Sequence, residues 1–354
     1  MPKKSIYLMS TAKSSGKTAI SIGLFLAFKE VGKKNPGYFK PIGDPFSDVK
    51  VTKADKDVNV VHKMLNRKYS REEICPIFIS PTGFLDEIPF EKTQGVKELI
   101  KGAYDEMAGK TDIMIVEGNH DYNQFYTLGL NDPQFAKLLN SEIIFISKME
   151  DDNDLDKLII AIEKVQSYNA SIKGIILTNV SELQITKIKE KYAKIIKDKG
   201  VELLGTIPAS RLLSAPTVAE VIEATKGNVL TDDLEFVKDK IVEKFIIGAM
   251  QCNDALAYLR KSPNTSVITG GDRTDIILTA IEVGVSLIIL TGNIQPDVVA
   301  LAKAKDAGIP VVLVLTDTYT TAHNIQNIKT QIQQGEIQLC KQQILDHVDW
   351  KKLM

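Results

Sequence analysis

A short apolar run, Ser5–Met9, leads through Ser10-Thr11-Ala12-Lys13-Ser14-Ser15-Gly16-Lys17-Thr18 into Thr18–Val31, where apolar residues recur at helical spacing. Ile20, Leu24, Ala27 and Phe28 fall on one side of that helix. A strand that runs into Gly-Lys-Thr at a helix start is the architecture of a phosphate-binding loop. Backbone N–H groups and the helix N-terminus hold phosphates there, the lysine reaches their outer oxygens, and the threonine hydroxyl can serve Mg²⁺. The usual pattern has a glycine five residues before the second one; here that position is Thr11, so the loop is a variant. The plain alternative is a helix start capped by its serines, with a solvated lysine.

The same strand-then-helix alternation continues along the chain. Strands are expected at Ile6–Met9, Gly37–Lys40, Ile113–Val116, Ile143–Ile146, Gly174–Leu177 and Leu203–Ile207, with helices around Val58–Leu65, Pro89–Met107, Pro133–Leu139, Asp154–Tyr168 and Glu182–Lys199. A second series has strands at Lys244–Ile247, Thr265–Ile268, Ser286–Leu290 and Val311–Leu315, with helices at Thr217–Ala224, Leu234–Val242, Thr274–Val283, Gln295–Asp306 and Thr318–Ile328. Such alternation predicts an α/β protein with mainly parallel sheets and ligands at the strands' carboxyl ends. At 354 residues, two domains are expected: 1–212 holding the phosphate loop and a smaller 213–330. A tail, 331–354, would pack as a terminal helix through Ile344, Leu345 and Trp350.

A net charge of −1 offers no basic excess for nucleic acid or an anionic membrane. No apolar run approaches the roughly 18–20 residues needed to span a bilayer, and no secretory signal opens the chain. Cys75, Cys252 and Cys340 lie far apart, as free thiols rather than a zinc site or disulfide framework. The expected location is the cytoplasm.

Strand ends supply the remaining candidates. Lys40 closes the second strand before Pro41, facing either an anion or solvent. Glu117, at the end of Ile113–Val116, has the chemistry to hold Mg²⁺, and Gly118 lets a ligand approach. Asp55 and Asp57 precede a helix, where they serve its dipole or complete a metal shell. His120 and Asp121, adjacent on an extended chain, read as loop residues. Asn179, after a strand, offers an amide to a purine edge. In the second half, Gly270-Gly271-Asp272-Arg273 leaves one strand, Thr291-Gly292 a second and Asp317–Thr321 a third. They suit either an anion-binding nest or an Asp272 helix cap with Arg273 tied to a neighbouring loop or subunit.

Thr11–Thr18, Phe39-Lys40-Pro41, Asp57, Val116-Glu117-Gly118 and Thr178-Asn179 together resemble dethiobiotin synthetase-like P-loop proteins. With Thr269–Asp275, Leu290–Asn293 and Asp317–Ala322 added, the chain up to about residue 330 resembles the non-catalytic amino-terminal region of phosphotransacetylases, a P-loop domain joined to a DRTGG domain. Asn293 departs from the glycine that the domain's name implies. The resemblance implies ATP or ADP at Thr11, Lys13, Ser14, Ser15, Gly16, Lys17, Thr18 and Asn179, and Mg²⁺ at Thr18, Asp57 and Glu117. Lys40 and Glu117 would be catalytic if the chain is an enzyme, and the second domain would offer a ligand site at Gly270–Arg273, Thr291 and Gly292. With no sequence left for an acetyl-transferring domain, a regulatory nucleotide-binding protein is expected. It would be a homodimer, with a separate phosphotransacetylase catalytic subunit as a candidate partner. The alternatives are an ATP-dependent ligase or amidoligase, and a scaffold without nucleotide.

Overall fold

The computed structural model describes residues 4–45, 55–65, 67–231, 237–261, 264–328, 330 and 332–354, which form two compact units. One unit comprises Met1–Ala209 together with Ile332–Met354, the other Ser210–Gln331.

The first unit is built on six strands: β1 (Lys4–Ser10), β2 (Pro36–Phe39), β3 (Ile113–Glu117), β4 (Glu142–Lys148), β5 (Ile172–Val180) and β6 (Leu203–Pro208). All pair in parallel, in the order β2-β3-β1-β4-β5-β6. Ile6, Tyr7, Leu8 and Met9 of β1 are each fully buried, because a parallel sheet carries its crossover helices on both faces and needs unbroken apolar strands. The chain leaves β1 toward one side of the sheet and β4 toward the other. The crevice between diverging connections therefore opens at the carboxyl end of β1, where the phosphate loop begins. Pairing of Leu8 with Glu117 sets the end of β3 beside it.

The helix expected over Glu182–Lys199 is composite. It starts as a 3₁₀ turn with a Ser181–Gln184 capping box and widens into a π turn at Ile188–Tyr192, which turns Ile188 and Tyr192 both inward. The tail forms a helix at Ile337–His347 that packs against the helix after the phosphate loop through buried Ile337, Cys340 and Ile344; Trp350 is buried and Leu345 half-buried.

The second unit holds β7 (Asn228–Val229), β8 (Lys244–Ile247), β9 (Thr265–Gly270), β10 (Leu287–Thr291) and β11 (Val311–Leu313), in the order β7-β11-β10-β9-β8. Its strands are parallel except the short antiparallel edge strand β7. Val267, Ile288 and Leu290 face one apolar cluster and Ile268, Leu287 and Ile289 the other, so this sheet too is covered on both faces. The helix expected over Leu234–Val242 lies partly outside the described residues. The cysteines are free thiols. No helix among the described residues is long and apolar enough to cross a membrane.

Candidate functional site

At the end of β1 the chain turns through Ser14 and Gly16, both left-handed at φ 55° and 82°. Gly16 is the N-cap of the helix Lys17–Leu26 and offers no side-chain cap, so no capping side chain claims the helix's first N–H groups. Lys13, Ser14 and Gly16 are exposed, and Thr11 and Thr18 half-buried. Ser15 is buried: its hydroxyl donates to the Ala12 carbonyl at 2.7 Å, and its own carbonyl accepts from Thr178 Oγ1 at 2.9 Å. Thr11 Oγ1 lies 3.1 Å from Ser147 Oγ on β4, so the variant position ties the loop to the neighbouring strand.

Lys17 is buried. Its Nζ donates to Ser10 Oγ and, at 3.3 Å, to the His120 carbonyl. Burial lowers its pKa despite the opposing pull of Glu117 and Asp132. Glu117 accepts three hydrogen bonds: from Thr18 Oγ1 and Ser21 Oγ, each at 2.9 Å, and from Tyr38 OH at 3.0 Å. Burial still raises its pKa, partly offset by Lys40.

Lys40 is only 4% exposed and sits among carboxylates, with Nζ 2.9 Å from Asp55, 3.0 Å from Asp57 and 3.7 Å from Glu117. Burial opposes its charge, but these neighbours outweigh burial and hold the ammonium well above its ordinary pKa. Asp55 also caps the helix Lys56–Met64, accepting from the N–H groups of Asp57 and Val58, and takes the Asp44 N–H at 2.8 Å. Lys40, Asp55, Asp57 and Glu117, candidates named separately from the sequence, are therefore brought together around one ammonium. His120 lies in a loop, as expected, and from there its carbonyl holds Lys17 while its Nε2 lies 3.0 Å from Asp44 Oδ2. Asn179 is left-handed and its amide donates to Glu150 Oε1 at 2.9 Å.

Residue-type reasoning missed Asp132. This carboxylate is fully buried; its Oδ1 accepts from Tyr7 OH at 3.0 Å, Asn119 N at 2.9 Å and Asn119 Nδ2 at 2.8 Å. Its Oδ2 has no hydrogen-bond partner and lies against Gly118, where any side chain would collide with it. Burial pushes its pKa up to about 7. No local signal marked it, because Asn131-Asp132-Pro133 reads as an ordinary helix start and its partners lie on β1 and just beyond β3.

In the second unit the candidate cation, Arg273, is satisfied internally. Arg273 pairs with Asp275 at 3.0 Å and donates to the carbonyls of Met250 at 3.0 Å and Gly248 at 3.4 Å. The N-cap of Thr274–Val283 is Arg273 and no side chain caps it, so Asp272 does not serve as the cap. Gly271 is glycine because a Cβ would collide with the Ile294 carbonyl. Thr291 Oγ1 reaches Thr318 Oγ1 at 3.0 Å and the Thr269 carbonyl at 3.4 Å, joining the ends of β9 and β10 to the helix after β11. Gly292 and Asn293 both take left-handed φ, a conformation Asn tolerates, so the departure from glycine keeps the turn.

Comparison with known proteins agrees with this layout. Residues 4–217 match the family model described as AAA domain, and residues 220–328 match the DRTGG domain. A phosphate acetyltransferase of Pseudomonas putida is 27% identical, over 93% of this chain and 48% of its own length. The chain thus spans about half the length of the phosphate acetyltransferases it matches. The ATP-dependent dethiobiotin synthetase BioD of Bacillus cereus is 22% identical over 65% of this chain and 92% of its own. Among solved structures, Pyrococcus horikoshii MinD complexed with Mg-ADP is 16% identical over 60% of this chain and 83% of its own, with a TM-score of 0.35. The CBS and DRTGG domains of a Clostridium perfringens pyrophosphatase, complexed with diadenosine tetraphosphate, are 21% identical over 44% of this chain and 74% of theirs, at a TM-score of 0.28.

Proposed function

The chain belongs to the AAA domain family, and on that premise we propose that its first unit binds ATP or ADP with Mg²⁺ and that the protein is regulatory. One observation carries the nucleotide proposal: an uncapped helix start at left-handed Gly16, with buried Lys17 beneath it and Thr18 Oγ1 2.9 Å from Glu117. N–H groups and one ammonium set beside a hard oxygen pair support a site for a phosphate with its metal.

Thr18, Asp57 and Glu117 supply a hydroxyl and two carboxylates, donors of the type Mg²⁺ takes. No ready cluster of three His, Cys, Asp or Glu for a metal exists among the described residues. Mg²⁺ needs only one or two carboxylates when phosphate and water complete its shell, so the donor set fits. Bound there, the ion would neutralise phosphate charge. Lys17 would pair with phosphate oxygens in place of Ser10 and the His120 carbonyl, and Thr11–Ser15 would line the loop. Asn179 would face the base.

The regulatory half of the proposal rests on both units matching the region shared with phosphate acetyltransferases. A homodimer, and a separate phosphate acetyltransferase catalytic polypeptide as partner, belong to it, as does a ligand at Gly270–Arg273, Thr291 and Gly292. We also propose an ATP-dependent ligase as a second reading, on the specific observation that Lys40 is buried among Asp55, Asp57 and Glu117, beside the phosphate loop.

Thermal unfolding with ADP or ATP and Mg²⁺ tests the nucleotide site. At 100 times Kd the ligand stabilises by about 2.7 kcal/mol, raising the midpoint by a few degrees. Lys17→Ala is expected to abolish the shift. No shift in folded wild-type protein would leave a scaffold. Phosphate release that requires a carboxylate or amine acceptor and disappears in Glu117→Ala would select the ligase.

A further inference from the structure

Away from the phosphate loop, the first unit has a groove of about 380 Å³ lined by Tyr126, Thr127, Gly129, Gln134, Lys164, Ser167 and Tyr168. Its chemistry is one-sided: hydroxyls, an amide and an ammonium, with no carboxylate among the lining residues. Lys164 makes no ion pair among the described residues. Its Nζ is instead held over two ring faces, 5.1 Å from the centroid of Tyr126 and 5.7 Å from that of Tyr168. The neighbouring acid, Glu163, is already engaged by Lys199 at 2.6 Å. A second ammonium, Lys97, donates to Gln134 Oε1 at 3.4 Å, so another positive charge orients the amide.

The wall is held in an unusual backbone. Phe125 takes a left-handed φ of 62°, which is an outlier for a bulky residue, and Gly129 follows at 65°. Between them the 3₁₀ turn Tyr126–Leu128 buries Leu128 and leaves the Tyr126 ring half exposed at the rim. The Phe125 ring is fixed edge-on to Phe84 at 5.1 Å, which holds the strained residue in place. Behind the other wall Asn131 is fully buried. Its Nδ2 donates to Tyr168 OH at 3.3 Å while its Oδ1 has no partner. An ammonium with no ion pair among the described residues, a half-exposed tyrosine beside it and a rim of hydroxyls are groups that suit one class of molecule.

We propose that this groove binds a small organic anion, a carboxylate or a phosphate ester, whose charged group pairs with Lys164 and whose flat organic part lies on Tyr126. The site is separate from the phosphate loop and does not depend on nucleotide binding there.

Calorimetric titration of the full chain with phenyl phosphate, benzoate, inorganic phosphate and neutral phenol tests it. Phenyl phosphate and benzoate are expected to bind, and phenol not to. Lys164→Met should weaken both anions at least about tenfold, the scale of one charge-assisted hydrogen bond. Tyr126→Ala should weaken phenyl phosphate several-fold and leave inorganic phosphate unchanged. Both side chains lie at the surface, and an unchanged thermal midpoint will show that the variants fold. Binding that survives Lys17→Ala supports the groove. Binding lost in Lys17→Ala but intact in Lys164→Met, or absent at roughly 10 mM ligand, overturns it.

Discussion

The two units place glycine-bearing turns at the carboxyl ends of parallel strands, yet they treat charge in opposite ways. In the first, Lys17, Lys40, Glu117 and Asp132 are buried, and Asp132 keeps one oxygen without a donor. In the second, Arg273 is about a third exposed and already paired with Asp275, whose carboxyl it holds below the usual carboxylate range. Buried charge needs partners and answers strongly to any new one, whereas a solvated ion pair is screened. The difference teaches that glycine-rich strand exits of similar sequence can hold their charges in opposite ways, according to the partners that surround them.

Lys40→Met is expected to separate the units most clearly. It leaves Asp55, Asp57 and Glu117 facing one another without their shared cation, and breaking buried pairs of this kind costs about 3–5 kcal/mol. Urea unfolding of the first unit reads it, and a loss below 1 kcal/mol would mean the cluster is solvated like the Arg273 pair.

Asp132 sharpens the contrast through pH. Its carboxyl holds a proton up to about pH 7 in the folded state, against an ordinary value of 3.8. Between those limits the folded protein binds more protons than the unfolded chain, so stability falls as pH rises through the window and stays lower above it. The expected loss is on the order of 2–4 kcal/mol. Asp132→Asn should flatten that slope, and an unchanged slope would place its origin elsewhere. Asp275 has the opposite shift and is half exposed, so it adds little in this range.

Nucleotide stabilisation is the third comparison: Lys17→Ala should remove about 2.7 kcal/mol at ligand 100 times Kd, while Arg273→Met should leave it intact. The smallest effect belongs to Arg273→Met alone, about 1 kcal/mol from an exposed pair and two carbonyl contacts. A much larger loss, measured by thermal unfolding, would show the second unit's edge to be as demanding as the first.

Lys17, Thr18, Lys40 and Glu117 were legible because strand ends and helix starts are local patterns, and parallel α/β sheets put ligands there. Their partners were not legible. Tyr38 and Ser21 meet on Glu117 from different elements, and Tyr7 reaches Asp132 across 125 positions of sequence. His120 was legible only as a loop residue, because its contact with Lys17 is made by its carbonyl, which residue type does not reveal.

By itself, the sequence determined the alternation of strands and helices, the phosphate-loop turn and the family resemblance, since apolar period, glycine placement and motif spacing are properties of short segments. Only the tertiary structure decided which charges are neutralised: the strand order sets β3 beside β1, closes Lys40 into its carboxylate cluster, and leaves Asp132 one oxygen short of a partner. Solvation and Coulomb energy depend on what surrounds a group in space, and the chain assembles those surroundings from segments a hundred residues apart.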